Sequence, residues 1–198
     1  MGLALWIVPP ASVRDKLKAI MDNPPLEPEI EPPLPLFEPH ITLASVPVSV
    51  TEAKLKDVIR DIQGTFRVDF ESVEAQQTYF RSAIVHIRKT AELENLLASI
   101  KTAIPVDVKA PYYPHMSLFY IDDVRAADRQ LVIDRLFQSG HLVPCSGSTG
   151  LAINFAPEDG SKPDALHGFD ADAIWVVLCD GPVNDWRVLY KQNLHPKT

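Results

Sequence analysis

Two histidines stand in matched company, 75 positions apart. His40 lies in Phe37-Glu38-Pro39-His40-Ile41-Thr42-Leu43, and His115 lies in Tyr113-Pro114-His115-Met116-Ser117-Leu118. In each copy a proline precedes the histidine, an apolar residue follows, and then come a hydroxyl and a leucine. Imidazole titrates near neutrality, so two of them can divide acid–base work at a phosphorus. One, neutral, takes a proton from an attacking water, and the other, protonated, gives a proton to the leaving oxygen. The hydroxyls of Thr42 and Ser117 can donate hydrogen bonds to the non-bridging oxygens, where negative charge accumulates. A metal site is the other chemistry that paired histidines suggest. It needs further ligands, and neither His-x-hydroxyl-Leu unit contains a carboxylate or thiol, so no metal and no cofactor is expected. Neither G-x-x-x-x-G-K-[ST] nor G-x-G-x-x-G occurs, so the chain does not read as a nucleoside-triphosphate or dinucleotide fold.

The elements that must carry these residues follow from periodicity. A strand alternates faces, which sets His40 and Thr42 against Ile41 and Leu43, and His115 and Ser117 against Met116 and Leu118. Motif strands are therefore expected near 40–45 and 115–120. The apolar run Leu3 to Val8, stopped by Pro9-Pro10, reads as a buried strand. Helices are expected after Ser12, Thr51 and Thr90 as caps, and over 126–137 with Gly140 as a left-handed stop. Phe66 to Val73, Ser82 to Ile87, Thr149 to Phe155, Ala173 to Leu178 and Trp186 to Tyr190 read as strands. Residues 76–81 read as a hairpin loop carrying aromatics. Prolines at 24, 25, 28, 32, 33, 35 and 39 exclude helix and central strand over 24–39, leaving a surface connection that is partly polyproline II. Residues 156–172, with Pro157, Gly160, Pro163 and Gly168, read as a mobile loop. The expected architecture is an α+β fold of two pseudo-symmetric lobes, each a mainly antiparallel sheet flanked by helices, with the active cleft between them. The whole chain, 1–198, is expected to form one bilobal domain.

Bulk properties narrow the substrate. A formal net charge of −7 over 198 residues disfavours a long nucleic-acid backbone, whose binding depends on many Lys and Arg contacts. A small phosphorylated ligand in a local pocket remains compatible. The two cysteines, Cys145 and Cys179, form no C-x-x-C pair and read as reduced thiols. No stretch approaches a membrane span and no signal peptide is read, so an intracellular, soluble, cytoplasmic monomer is expected.

The twin motifs resemble the two H-x-[T/S]-hydrophobic motifs of the two-histidine phosphoesterase superfamily. Ala4-Leu5-Trp6 with Pro9-Pro10, the context Phe37-Glu38-Pro39-His40, Tyr120, and Gly181-Pro182 with Trp186-Arg187-Val188-Leu189 extend the resemblance to the fungal and plant cyclic phosphodiesterases. The resemblance implies that His40 and His115 are catalytic, that Thr42 and Ser117 bind the phosphate, and that Tyr120 lies near the substrate. It implies metal-free opening of ADP-ribose 1″,2″-cyclic phosphate to the 1″-phosphate and of 2′,3′-cyclic nucleotides to 2′-phosphates, downstream of tRNA splicing. It assigns water activation to His115 and protonation of the leaving oxygen to His40, and resemblance to yeast relatives adds a Golgi association. Two alternatives stand beside this reading: hydrolysis of 2′,5′ linkages or RNA ends, and non-catalytic binding of RNA ends.

Other residues carry weaker expectations. Trp6 reads as buried. Tyr79 and Phe80 read as hairpin packing, with base stacking as the functional alternative, and Tyr112 and Tyr113 as candidates to line the cleft. His86 reads as structural and His141 as a helix-end residue, while His167 and His195 receive no role.

Overall fold

A computed structural model describes residues 2–26, 33–145, 150–157 and 164–194. The strands and helices run β1 (Gly2–Val8), α1 (Ala11–Met21), β2 (Ile41–Val46), α2 (Glu52–Arg60), β3 (Phe66–Ala75), β4 (Ala83–Ile87), α3 (Ala91–Ala103), β5 (His115–Phe119), α4 (Ala126–Gln138), β6 (Leu142–Pro144), β7 (Leu151–Asn154), β8 (Ala165–Leu166), β9 (Gly168–Ala171), β10 (Ala173–Cys179) and β11 (Arg187–Asn193). Eight strands form one sheet in the order β11-β10-β1-β2-β5-β4-β3-β9, and β6-β7-β8 form a second. Every pairing is antiparallel. The fold is thus α+β and antiparallel, as the sequence suggests. The two motif strands are the two central ones, with three strands outside each. They meet through a single register pair, Ile41 with Met116. That thin seam leaves room for a cleft over the junction.

β1 explains its unbroken apolar sequence by being covered on both faces. Leu3, Leu5 and Ile7 enter the main core with Leu17, Ile20 and Met21 of α1. Ala4, Trp6 and Val8 form a second cluster with Ala173, Trp175 and Val177 of β10. β2 obeys the alternation at its start: Ile41 and Leu43 are in the core. Between Leu5 and Trp6 the β1–β2 register then shifts. The shift returns Ser45 to the face that carries Thr42, although the two are three residues apart.

The caps fall largely where expected. Thr51 accepts from Lys54 N at 3.2 Å and Thr90 from Leu93 N at 3.3 Å. Gly140, with φ +76°, ends α4. Ser12 is a correction: α1 begins at Ala11, with Pro10 as the cap residue, and no side chain caps it. The Pro10 carbonyl itself accepts from Val13 N and Arg14 N, so Ser12 lies inside the first turn.

Residues 156–172 are a second correction, because their described part carries β8 and β9 rather than a loop. β9 pairs with β3 from Phe66↔Ala171 to Asp69↔Gly168. Gly168 is the reason the segment reads as a loop: a Cβ there would overlap the carbonyl oxygen of Val68. It is a glycine of close backbone approach within a strand. β6 is a short addition that the sequence reading lacks. Residues 27–32 of the proline-rich segment, 158–163, Thr149 and His195 lie outside the described residues. No helix among the described residues is long and apolar enough to cross a membrane.

Candidate active site

Proline shapes both half-sites. Its ring fixes its own φ and confines the residue before it to extended conformations. In both copies the carbonyl two residues before the histidine meets the ring: His40 Nδ1 lies 2.7 Å from Glu38 O, and His115 Nδ1 lies 3.1 Å from Tyr113 O. A carbonyl can only accept, so Nδ1 carries the hydrogen in each neutral ring. Nε2 is then the free lone pair, the atom able to take or deliver a proton.

Both histidines line one cleft of about 450 Å³, together with Thr42, Ser117 and Tyr120. The five residues singled out by the sequence are thus neighbours around one space. His40 is buried and stacks on Trp6, with ring centroids 3.6 Å apart and planes 10° from parallel. Phe37 meets its edge at 6.0 Å. Burial strips the imidazolium of water, and His115 adds like-charge repulsion. Against these the Glu38 carbonyl favours the charged ring, yet the His40 pKa still falls to about 4. His115 is also pushed down, first by burial and then by the Arg81 and His86 charges, with the Tyr113 carbonyl opposing. Both rings are therefore neutral at pH 7.

The hydroxyls differ. Among the described residues no hydrogen bond engages Thr42 Oγ1. Ser117 Oγ donates to Phe80 O at 3.0 Å, and Ser117 and Tyr120 line the same cleft. Tyr120 is buried, and its ring stacks on Phe37 at 4.1 Å. Burial pushes its phenol well above the usual range, so it stays protonated.

The sequence reading lacks several lining residues. Arg81 and Lys109 bring positive charge to the cleft, and Ser45, Cys179 and Trp186 complete its walls. Lys109 is placed by paired backbone bonds with Ser45 (2.7 and 2.9 Å). Burial pushes the Cys179 thiol up to about 12, so it is an inert wall. Phe80 stacks near Trp186 at 5.8 Å, which makes it a cleft aromatic. Tyr79 is packed against Tyr120 instead. Trp6 is buried as expected, and it also forms part of the cleft wall. Tyr112 and Tyr113 do not line this cleft; Lys89 Nζ lies 4.5 Å from each ring. His86 faces His115 across β4–β5 and bonds Glu74 Oε2 at 2.7 Å. Among the described residues no three His, Cys, Asp or Glu side chains converge as a metal-ligand set.

The chain is similar to known proteins along nearly its whole length. A family model described as "Cyclic phosphodiesterase-like protein" matches residues 1–194. A 2′,3′-cyclic-nucleotide 3′-phosphodiesterase of Eremothecium gossypii is 28% identical, over 98% of this chain and 100% of that protein. One of Yarrowia lipolytica is 25% identical, over 96% and 98%. Among solved structures, E. coli LigT complexed with phosphate superposes with a TM-score of 0.53 at 13% identity, over 98% of this chain and 96% of that one. LigT complexed with 3′-AMP gives a TM-score of 0.53 at 15% identity, over 98% and 97%. At these identities the structures speak for the fold alone.

Proposed function

The chain belongs to the cyclic phosphodiesterase-like proteins, and from that membership we propose that it hydrolyses small ribose cyclic phosphates, with His40 and His115 as the acid–base pair. It is an enzyme of the two-histidine phosphoesterase type. The observation that carries the reading is the shared geometry of the two imidazoles: each is tied through Nδ1 to a backbone carbonyl, and both line one cleft. The substrates proposed are ADP-ribose 1″,2″-cyclic phosphate and 2′,3′-cyclic nucleotides, the first of which arises downstream of tRNA splicing.

The residues divide the work as follows. His115 is the more accessible ring, where a water can reach Nε2, and burial, with the Arg81 charge beside it, keeps it neutral and ready to accept a proton. It takes the proton as the water oxygen attacks phosphorus. The bond from phosphorus to the opposite ring oxygen breaks, and His40 Nε2–H protonates that oxygen. For a 2′,3′-cyclic nucleotide the 3′ oxygen leaves and the 2′-phosphate remains. On its own, His40 is too deeply buried to hold a proton at neutral pH. The phosphodiester anion reverses that balance, so the substrate and the His40 proton arrive together. Thr42 donates to a non-bridging oxygen, and Ser117 with Tyr120 frames the phosphate on the opposite side.

One experiment tests the reading. The protein is incubated with ADP-ribose cyclic phosphate, 2′,3′-cyclic AMP and a 2′,5′-linked oligoadenylate, and the products are identified by phosphorus NMR. The 1″-phosphate and the 2′-phosphate are expected, with the oligomer intact. Cleavage of the oligomer alone would move the assignment to linkage hydrolysis. No product from any of the three would leave a binding protein.

A further inference from the structure

The second half-site contains a short turn that the twin motif does not foretell. Residues Tyr79–Arg81 form a single 3₁₀ turn between β3 and β4. Ser82, fully buried, fastens it to the end of β5. Its Oγ lies 2.7 Å from Tyr79 O and 3.0 Å from Ile121 O, and it accepts from Ile121 N at 2.8 Å. Arg81 N bonds Thr78 O at 2.9 Å, and Gln76 N bonds Arg81 O at 3.1 Å. Ser117 adds the bond to Phe80 O. The turn is thereby rigid and docked on the strand that carries His115.

Arg81 lines the cleft, and its charge acts on His115. Among the described residues its guanidinium meets no carboxylate, in a protein whose net charge is −7. Ser117 would have to release Phe80 O before donating to a phosphate, whereas the Arg81 guanidinium holds no hydrogen bond among the described residues. We propose that Arg81 is a further catalytic residue, whose guanidinium takes the non-bridging phosphate oxygens on the His115 side of the cleft. Thr42 serves the His40 side. A planar cation on a fixed turn suits an anionic, tetrahedral centre, because its donors are already oriented when charge develops. Arg81 also acts on His115 before substrate arrives. Among the described residues the charged or titratable groups around that ring are Arg81 on the turn, His86 on β4 with Glu74 behind it, His40 across the seam and the phenol of Tyr120, with Lys109 and Cys179 on the walls of the same cleft. Arg81 is the strongest of the cations that keep His115 free of its proton.

This role presupposes the cyclic-phosphate chemistry above, and the test separates the two. Arg81→Gln and Arg81→Lys are compared with the parent on 2′,3′-cyclic AMP over a pH series. Arg81→Gln is expected to lower kcat and kcat/KM together by about a hundredfold, the loss typical of one pre-organised oxyanion donor. Arg81→Lys is expected to recover at least a tenfold part of that. The acid limb of kcat/KM should move to higher pH in Arg81→Gln, because His115 then keeps its proton longer. A merely structural turn would leave that limb in place. Activity of Arg81→Gln within threefold of the parent, or an unmoved limb with no recovery in Arg81→Lys, overturns the proposal. If the parent hydrolyses no cyclic phosphate, inorganic phosphate is titrated against the His115 imidazole signal by NMR. At least tenfold weaker binding in Arg81→Gln then supports the anion contact, and equal binding refutes it.

Discussion

The two half-sites share a sequence pattern and a backbone device, yet they are built for different tasks. In the first, His40 is buried between Trp6 and Phe37, its pKa falls to about 4, and no hydrogen bond among the described residues engages the Thr42 hydroxyl. In the second, His115 is partly open, Arg81 and His86 lie close by, and the Ser117 hydroxyl is committed to a turn. Proline and the carbonyl behind it set the tautomer identically in both. What differs is what surrounds each ring, and that decides which proton each can carry. A repeated motif thus specifies a pair of imidazoles, while the rest of the fold makes them unequal.

The sharpest way to break this comparison is to remove each ring in turn. His40→Ala and His115→Ala should each lower kcat on 2′,3′-cyclic AMP by about 10²–10⁴-fold, the range of general acid–base catalysis. The two are told apart by the leaving group. An aryl phosphodiester with a p-nitrophenolate leaving group does not need protonation, so His40→Ala should recover most of its loss on that substrate. His115→Ala should recover none, because the water still needs a base. The reverse pattern would exchange the two roles.

The hydroxyls come next. Thr42→Val removes a free donor and should cost about a hundredfold in kcat with little change in folding. Ser117→Ala removes a link to the Arg81 turn, so its loss in kcat should be smaller than that of Thr42→Val and accompanied by a lower Tm. Equal effects on both quantities would make the half-sites equivalent. EDTA should leave both variants and the parent unchanged, because no step assigned to these residues passes through a metal.

Much of this asymmetry lies beyond the reach of sequence. The motif strands, the buried β1 and the Thr51 and Thr90 caps are local features, written in the spacing of apolar residues and in single capping side chains. The pairing of His40 with His115 is legible because their contexts repeat. Arg81 is not legible, because a single arginine between strands looks like any solvated charge until Ser82 and Ser117 are seen to fasten its turn. Gly168 misleads for the opposite reason. Glycine marks loops and close backbone approaches alike, and only the position of β3 distinguishes them. The bulge that returns Ser45 to the cleft depends on the register between β1 and β2, which no single strand contains.

Burial of a neutral His40 also predicts how stability depends on pH. The ordinary imidazole value is 6.5, and in the folded chain it is about 4. Between those values the unfolded chain binds the proton and the folded one does not. Stability therefore falls as pH drops from 6.5 to 4, and this group adds no further dependence above 6.5. The loss is about 3.5 kcal/mol at most, at ~1.4 kcal/mol per unit. Urea unfolding of the parent and of His40→Gln at pH 7 and pH 4.5 measures it. The parent should lose more than the variant over that interval, and equal losses would show that His40 is not held neutral by burial.

The smallest expected effect separates the two carboxylates nearest the half-sites. Glu38 gives His40 its backbone carbonyl, while its side chain pairs with Arg14 at 3.4 Å and Lys18 at 3.7 Å on α1. These are partly exposed pairs, worth under about 1 kcal/mol, and they do not touch the ring that reacts. Glu74 instead bonds His86, which faces His115. Removing the Glu74 carboxylate takes away the contact that holds the His86 ring beside His115, so kcat/KM should fall in Glu74→Gln, by less than in Arg81→Gln, since the Arg81 charge acts more strongly on His115 than His86 does. Glu38→Gln should keep kcat and kcat/KM within about twofold, because its carbonyl is intact and only two partly exposed pairs are lost. Equal losses of kcat/KM in Glu38→Gln and Glu74→Gln would mean that general surface charge, not the His86 contact, supports the second half-site.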